Sequence, residues 1–216
     1  MQPFIAAISL TCGALLPIMN PFSTAPLFVS LTANFDARKR REQAMKACVY
    51  AFAILVTFLL AGAAIVDFFG ISIAGIRAAG GLIILAIGFR MLFPAPRAAG
   101  EVDTSAAAAD LDVAFSPLAM PSLAGPGSIA VVMSAAAQIR SKPDWLMIYV
   151  GVIAGMAVTL VFSYLVLRLA GAMARFMGRE GIDAMTRIFG FLLICIGMQF
   201  LLTGIAGFYG LRLDGA

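Results

Sequence analysis

Six stretches of this chain run free of charged residues: 1–35, 47–66, 78–89, 113–139, 145–167 and 188–211. A straight helix needs about 20 apolar residues to cross a bilayer. The second, fifth and sixth stretches have that length. The third is short, but extends to 71–93 if Arg77 and Arg90 lie near its ends and their long side chains reach toward the interface. The pattern predicts an all-α membrane protein of about six transmembrane helices.

The first and fourth stretches read differently from the rest. Residues 1–35 are too long for one simple crossing. Both stretches also gather prolines: Pro17, Pro21 and Pro26 in the first, Pro117, Pro121 and Pro126 in the fourth. The spans at 47–66, 71–93, 145–167 and 188–211 contain none. Proline removes a backbone donor and clashes with the preceding turn. With Asn20 and Gly125-Pro126-Gly127 added, these two segments are expected to be broken or re-entrant helices, against the plainer alternative of a proline kink.

Composition agrees with a chain solvated by lipid. Hydrophobic residues make up 62% and charged residues 12%, with a mean hydropathy of +1.01. The charged share is about half that of a soluble domain. The net charge of +4 does not point to nucleic acid, because the basic residues sit in short segments between apolar runs and read as topology signals. With six spans and the N-terminus outside, eleven of the fifteen Lys and Arg residues fall inside, led by the Arg38–Arg41 run. Arg77, Arg140, Lys142 and Arg212 fall outside. Both termini are therefore expected on the periplasmic or extracellular side. No basic residue precedes Arg38, so the first segment is expected to be a retained span rather than a signal peptide. There is no His, and Cys12, Cys48 and Cys195 lack metal-ligand spacing. No metal, no cofactor and no enzymatic activity are expected.

The two halves of the chain resemble each other. Leu16-Pro17-Ile18-Met19-Asn20-Pro21-Phe22-Ser23 matches Met120-Pro121-Ser122-Leu123-Ala124-Gly125-Pro126-Gly127-Ser128 with one inserted residue. Gly81 and Gly88 align with Gly190 and Gly197 at a constant offset of 109. The expected organisation is a first three-helix repeat at 1–93, a cytoplasmic linker at 94–112, and a second three-helix repeat at 113–216. Three is odd, so the second repeat enters the membrane inverted. In many secondary transporters such repeats bring paired broken helices together at the substrate site.

A broken helix frees N–H groups at one end and C=O groups at the other. Lining a wet cavity, the first suit a carboxylate and the second an ammonium or a cation. Asn20, Ser23, Thr24, Ser122 and Ser128 add neutral hydrogen-bonding groups at the breaks, and Gly125 and Gly127 let a ligand approach the backbone. The alternatives are structural: Asn20 caps a half-helix, and the hydroxyls bond back to their own helices. Gly80, Gly81, Gly88, Gly190 and Gly197 read as helix-packing positions. Arg77 reads as an interfacial anchor or as a cavity residue that pairs with a carboxylate, and Asp67 as an edge carboxylate available for coupling or gating. The expected function is secondary transport of a small zwitterionic solute. A channel, a drug-efflux protein and a membrane assembly protein are the alternatives. The expected partners are membrane lipids and a small-molecule substrate, with a homo-oligomer left open.

Several stretches also resemble the MarC family of bacterial inner-membrane proteins. They are Asn20-Pro21 with Pro26-Leu27-Phe28; Phe69-Gly70-Ile71-Ser72-Ile73 with Gly75-Ile76-Arg77-Ala78-Ala79-Gly80-Gly81; Gly88-Phe89-Arg90-Met91-Leu92-Phe93-Pro94; and Pro117-Leu118-Ala119-Met120-Pro121-Ser122 before Ala124-Gly125-Pro126-Gly127. The resemblance covers nearly the whole chain. It implies a multi-pass protein of the bacterial inner membrane. The family's name refers to multiple antibiotic resistance, a link that lies with a neighbouring operon. A related branch transports small neutral amino acids such as glycine and alanine. By similarity the substrate region falls on Asn20-Pro21 and Gly125-Pro126-Gly127.

Overall fold

Each charge-free stretch folds as helix, and its ends fall where the sequence supplies a cap or a break. The computed structural model describes residues 2–93, 113–139 and 142–211. The helices are α1 (Gln2–Met19), α2 (Pro21–Leu31), α3 (Ala37–Phe69), α4 (Ile73–Leu92), α5 (Ala114–Leu123), α6 (Pro126–Ile139), α7 (Trp145–Ala172) and α8 (Glu180–Tyr209). No strand occurs among the described residues. The expected linker at 94–112, and the basic residues Arg140 and Arg212, lie outside the described residues.

Five helices are long and apolar enough to cross a membrane: α1, α3, α4, α7 and α8. The α5–α6 pair, bent by 61°, is either a sixth crossing as one broken span or a re-entrant loop. The protein is thus an all-helical membrane protein of five or six spans. Two boundaries differ from the sequence expectation. At 18 residues α1 is span-length by itself, about 27 Å, so the break at Asn20 lies past its end and α2 follows as a short apolar helix. α3 begins at Ala37, ten residues before the charge-free run. Asp36 accepts the Lys39 amide at 2.7 Å and caps it, so the basic cluster is the first turn of a helix. At its other end α3 stops at Gly70, in the left-handed region at φ 63.

α7 and α8 form one continuous run interrupted at Gly178, whose φ of 64 and ψ of −176 suit a residue without Cβ. Small residues set how the helices pack. Gly151 lies against Phe4 and Ala7, and Gly155 against Ile8 and Thr11, so α1 and α7 run parallel. Gly81 faces Gly197, and Gly88 faces Gly190, so α4 and α8 run antiparallel. A Cβ at Gly81 would come 2.6 Å from the Leu201 amide nitrogen, and one at Gly197 2.7 Å from that of Leu85. Backbones this close gain dispersion contact that lipid does not offer. Large apolar side chains such as Leu10, Leu60, Val161 and Phe191 stay exposed on the outer faces, where acyl chains solvate them.

Candidate functional site

The first break is built around Asn20. Its φ of 32 and ψ of 72 place it in the left-handed region, where Asn is tolerated better than most residues with a Cβ. Its N–H still closes the last turn of α1 on Leu16 O at 3.1 Å. Its Oδ1 accepts the Ser23 amide at 3.3 Å and caps α2. Pro21 opens α2 at a position that needs no donor. The Asn20 carbonyl accepts the hydroxyls of Ser23 at 3.2 Å and Thr24 at 3.3 Å. The amide Nδ2 of buried Asn20 meets only the Met91 thioether, at 3.7 Å, a weak acceptor. Phe22 stacks on Phe189 and meets Phe162 edge-on, with centroids at 5.3 and 6.0 Å, and wedges the start of α2 against α7 and α8.

The second break has a different construction. Inside α5, Ser116 and Met120 are extended rather than helical, each before a cis proline. Ser122 Oγ donates to Pro117 O at 2.8 Å, and Ser128 Oγ to Leu123 O at 3.2 Å. Gly125 has no room for a side chain: a Cβ there would lie 2.6 Å from Pro121 O. α6 then starts at Pro126, preceded by Gly125, whose carbonyl accepts the Ile129 amide at 3.0 Å but which has no side chain to cap the helix. Gly127 packs on Ile18 of α1 and on Ile84 and Ile87 of α4. The two breaks therefore come together, beside the C-terminal half of α4. All four hydroxyls named from the sequence donate to nearby carbonyls, three of them (Asn20, Pro117 and Leu123) in the residues at or leading into the breaks. Their lone pairs and the Asn20 amide are what a ligand would find.

A cavity of about 530 Å³ lies beside the other half of α4, between α1, α6, α7 and α8. That volume is within the usual range for small-molecule sites. Its lining is mostly small and apolar (Ala6, Ala7, Ala14, Val131), and its inner end is at Leu15 and Val132. Leu15 precedes Asn20 by five residues, about 7 Å along the helix. Arg77 is the one sequence candidate that lines the cavity. The other candidates, Asn20, Pro21, Ser23, Thr24, Ser122, Gly125, Pro126, Gly127 and Ser128, lie past its inner end. Asp67 is exposed in the last turns of α3 and is not part of the lining.

Arg77 is half-buried in the second turn of α4. A guanidinium at the centre of a membrane helix costs about 2.5–3.5 kcal/mol, so an inward-facing one needs partners. Its Nε donates to Ser134 Oγ at 3.4 Å, and Gln138 Nε2 donates to the same oxygen at 3.1 Å. Gln199 and Thr203 add a second polar pair on α8. Sequence reasoning missed these four. Their signal is neutral polar residues four apart, 134 with 138 and 199 with 203, on one face of an otherwise apolar span. Lys142, at the exposed rim, is the other charged lining residue. Among the described residues no group of His, Cys, Asp and Glu gathers that could hold a metal ion.

Comparison with known proteins places this architecture. A family model described as MarC family integral membrane protein matches residues 5–209. The inner membrane protein MarC of Salmonella paratyphi B is 42% identical over 214 residues, which cover 95% of this chain and 96% of that relative. The protein of the same name from Escherichia coli O139:H28 is 41% identical over 215 residues, and that from Citrobacter koseri 40% identical over 214, each with the same coverage. No solved structure matches the chain.

Proposed function

Because the chain belongs to the MarC family of integral membrane proteins, a multi-pass family of the inner membrane, we propose that it is a secondary transporter of small solutes of the neutral amino acid type, with its substrate site at the two helix breaks. One observation carries this reading. Two broken helices meet, Gly127 against Ile18, at the inner end of a cavity that enters the helix bundle from one side. Broken helices paired in this way present half-helix ends to a substrate. A glycine or alanine zwitterion needs little space, and its carboxylate suits the positive ends of α2 and α6. The amide of Asn20 adds a directed donor.

The halves at 1–93 and 113–216 act in this proposal as inverted repeats, joined on the cytoplasmic side by 94–112, with both termini outside. The helix contacts support it. Shifting each residue by the repeat offset turns the Gly81–Gly197 contact into the Gly190–Gly88 contact, and both contacts exist. The parallel pair α1 and α7 is matched by α6 and α3, where Gly62 packs on Met133. Two halves related in this way can rock against each other. Leu15, Ile18, Ile84 and Val132 close the path below the cavity, and Phe22 with Phe162 and Phe189 closes it beyond the breaks. The charged residues of the cavity lining are cations, which does not favour a pump for organic cations. No enzymatic role is proposed.

The test is counterflow of radiolabelled alanine and glycine into liposomes carrying the purified protein, with Asn20→Gly beside it. Saturable counterflow that the folded variant loses is the expected result. Counterflow kept by Asn20→Gly would remove the amide from the site. None at all from inserted, folded protein would remove this substrate class.

A further inference from the structure

We propose that the cavity beside the N-terminal half of α4 is a binding site for the carboxylate of a small solute, held by Arg77 and Ser134. The argument is a count of donors and acceptors. Arg77 lines the cavity and engages Ser134 Oγ through Nε, and its terminal nitrogens have no carboxylate partner among the described residues. Ser134 is 1% exposed, and its Oγ accepts from both Arg77 and Gln138. An oxygen that accepts twice is left with its own proton to donate, and the described residues offer that proton no acceptor. Gln138 Nε2 also bonds the Ser134 carbonyl at 2.9 Å, which fixes the cluster on one turn of α6. The result is a fork of guanidinium donors beside a buried hydroxyl donor.

A carboxylate supplies the missing acceptors. Its two oxygens match a guanidinium edge in a parallel pair. Lys142 at the rim has the same sign and draws an anion in. The nearby walls, Ala7, Ala14 and Val131, leave space for a short apolar chain. This site is separate from the breaks: Ser134 follows Pro126 by eight residues, about 12 Å along α6. An alanine cannot span that distance, so the cavity would hold a carboxylate before or after the break site does. The proposal goes beyond the transport reading and does not depend on it.

Thermal unfolding in an uncharged detergent separates the two. Sodium propionate and alanine are expected to raise the midpoint saturably, with sodium chloride holding the ionic strength constant. Propionamide, of the same shape without the charge, is expected to leave it unmoved. Arg77→Gln should weaken propionate binding by roughly tenfold or more, the scale of a charge-assisted hydrogen bond. If that variant does not fold, Ser134→Ala, which removes only the hydroxyl, should still raise the half-saturating concentration severalfold. Equal stabilisation by propionamide, or full binding in Arg77→Gln or Ser134→Ala, overturns the site. So does stabilisation by phosphatidylglycerol alone, which would assign Arg77 to a lipid headgroup. Loss of counterflow with propionate binding intact would sink the transport reading and leave this one standing.

Discussion

At the scale of single residues, Asn20 carries two burdens that can be separated. Its backbone is left-handed, and its side chain caps α2 through Ser23. A residue with a Cβ in that conformation costs roughly 1–2 kcal/mol, and a lost cap costs about 0.5–2 kcal/mol when Ala replaces Asn, but only a few tenths when Gly does. Asn20→Gly is therefore expected to unfold within about 1 kcal/mol of the parent, by this reckoning. Asn20→Leu, which keeps the strain and loses the cap, should lose about 0.5–2 kcal/mol. Thermal unfolding of the two variants in detergent checks the order. Equal midpoints would mean that α1 and α2 can join through another conformation. The position of this break was legible in the sequence, because Asn-Pro is strong punctuation. What was not legible is that Pro17 and Pro26 would sit inside helices. Proline weakens a helix wherever it lies, but only the packing around α1 and α2 decides which prolines end one.

Among the helices, the α4–α8 contact depends on bare backbone. Adding one methyl at Gly197 would place it 2.7 Å from the Leu85 nitrogen, with no flexible atom to give way. At Gly207, ten residues on, the nearest neighbour would be the Ala74 side chain at 3.7 Å, an ordinary contact. Gly197→Ala should thus lower stability by about 1–3 kcal/mol, the usual cost of overpacking. Gly207→Ala should be neutral or gain up to about 1 kcal/mol of helix propensity. Comparable midpoints for the two variants would contradict the close antiparallel packing. The glycines themselves could be read from the sequence as packing positions, because repeated small residues in an apolar span serve that use. Their partners could not, since the pairing of Gly81 with Gly197 joins elements far apart in the chain. The cavity was hidden for the same reason. Ser134 and Gln138 look ordinary on α6 until α4 brings Arg77 beside them.

For the whole molecule, the orientation we propose in the membrane rests on counting crossings and charges together. If the bent α5–α6 pair is one broken span, it makes six crossings with the five span-length helices, and the proposal then has both termini on one side. The basic residues then choose the side. Arg38, Lys39, Arg40 and Arg41 open α3 at one face, with Arg41 Nε donating to Tyr164 OH at 3.2 Å, whereas Arg77 and Lys142 belong to the opposite face. Cationic segments are retained in the cytoplasm, so we propose that the face that holds Arg38–Arg41 is the inner one. In that proposed orientation the cavity, lined by Arg77 and Lys142, opens outward, and the proposed solute path beyond the breaks would open inward when Phe22 leaves Phe189. Alkaline phosphatase fused after Ala216 is expected to be active in cells, and green fluorescent protein fused there to be dark. Neutralising Arg38, Lys39, Arg40 and Arg41 together should reduce the phosphatase signal, since it removes most of the charge that holds α3 inside. A fluorescent fusion with an inactive phosphatase would mean an odd number of crossings or the opposite orientation. An odd number would break the proposed inversion of the halves, which requires three crossings on each side of the linker, whereas the opposite orientation would keep the inversion and exchange the two faces.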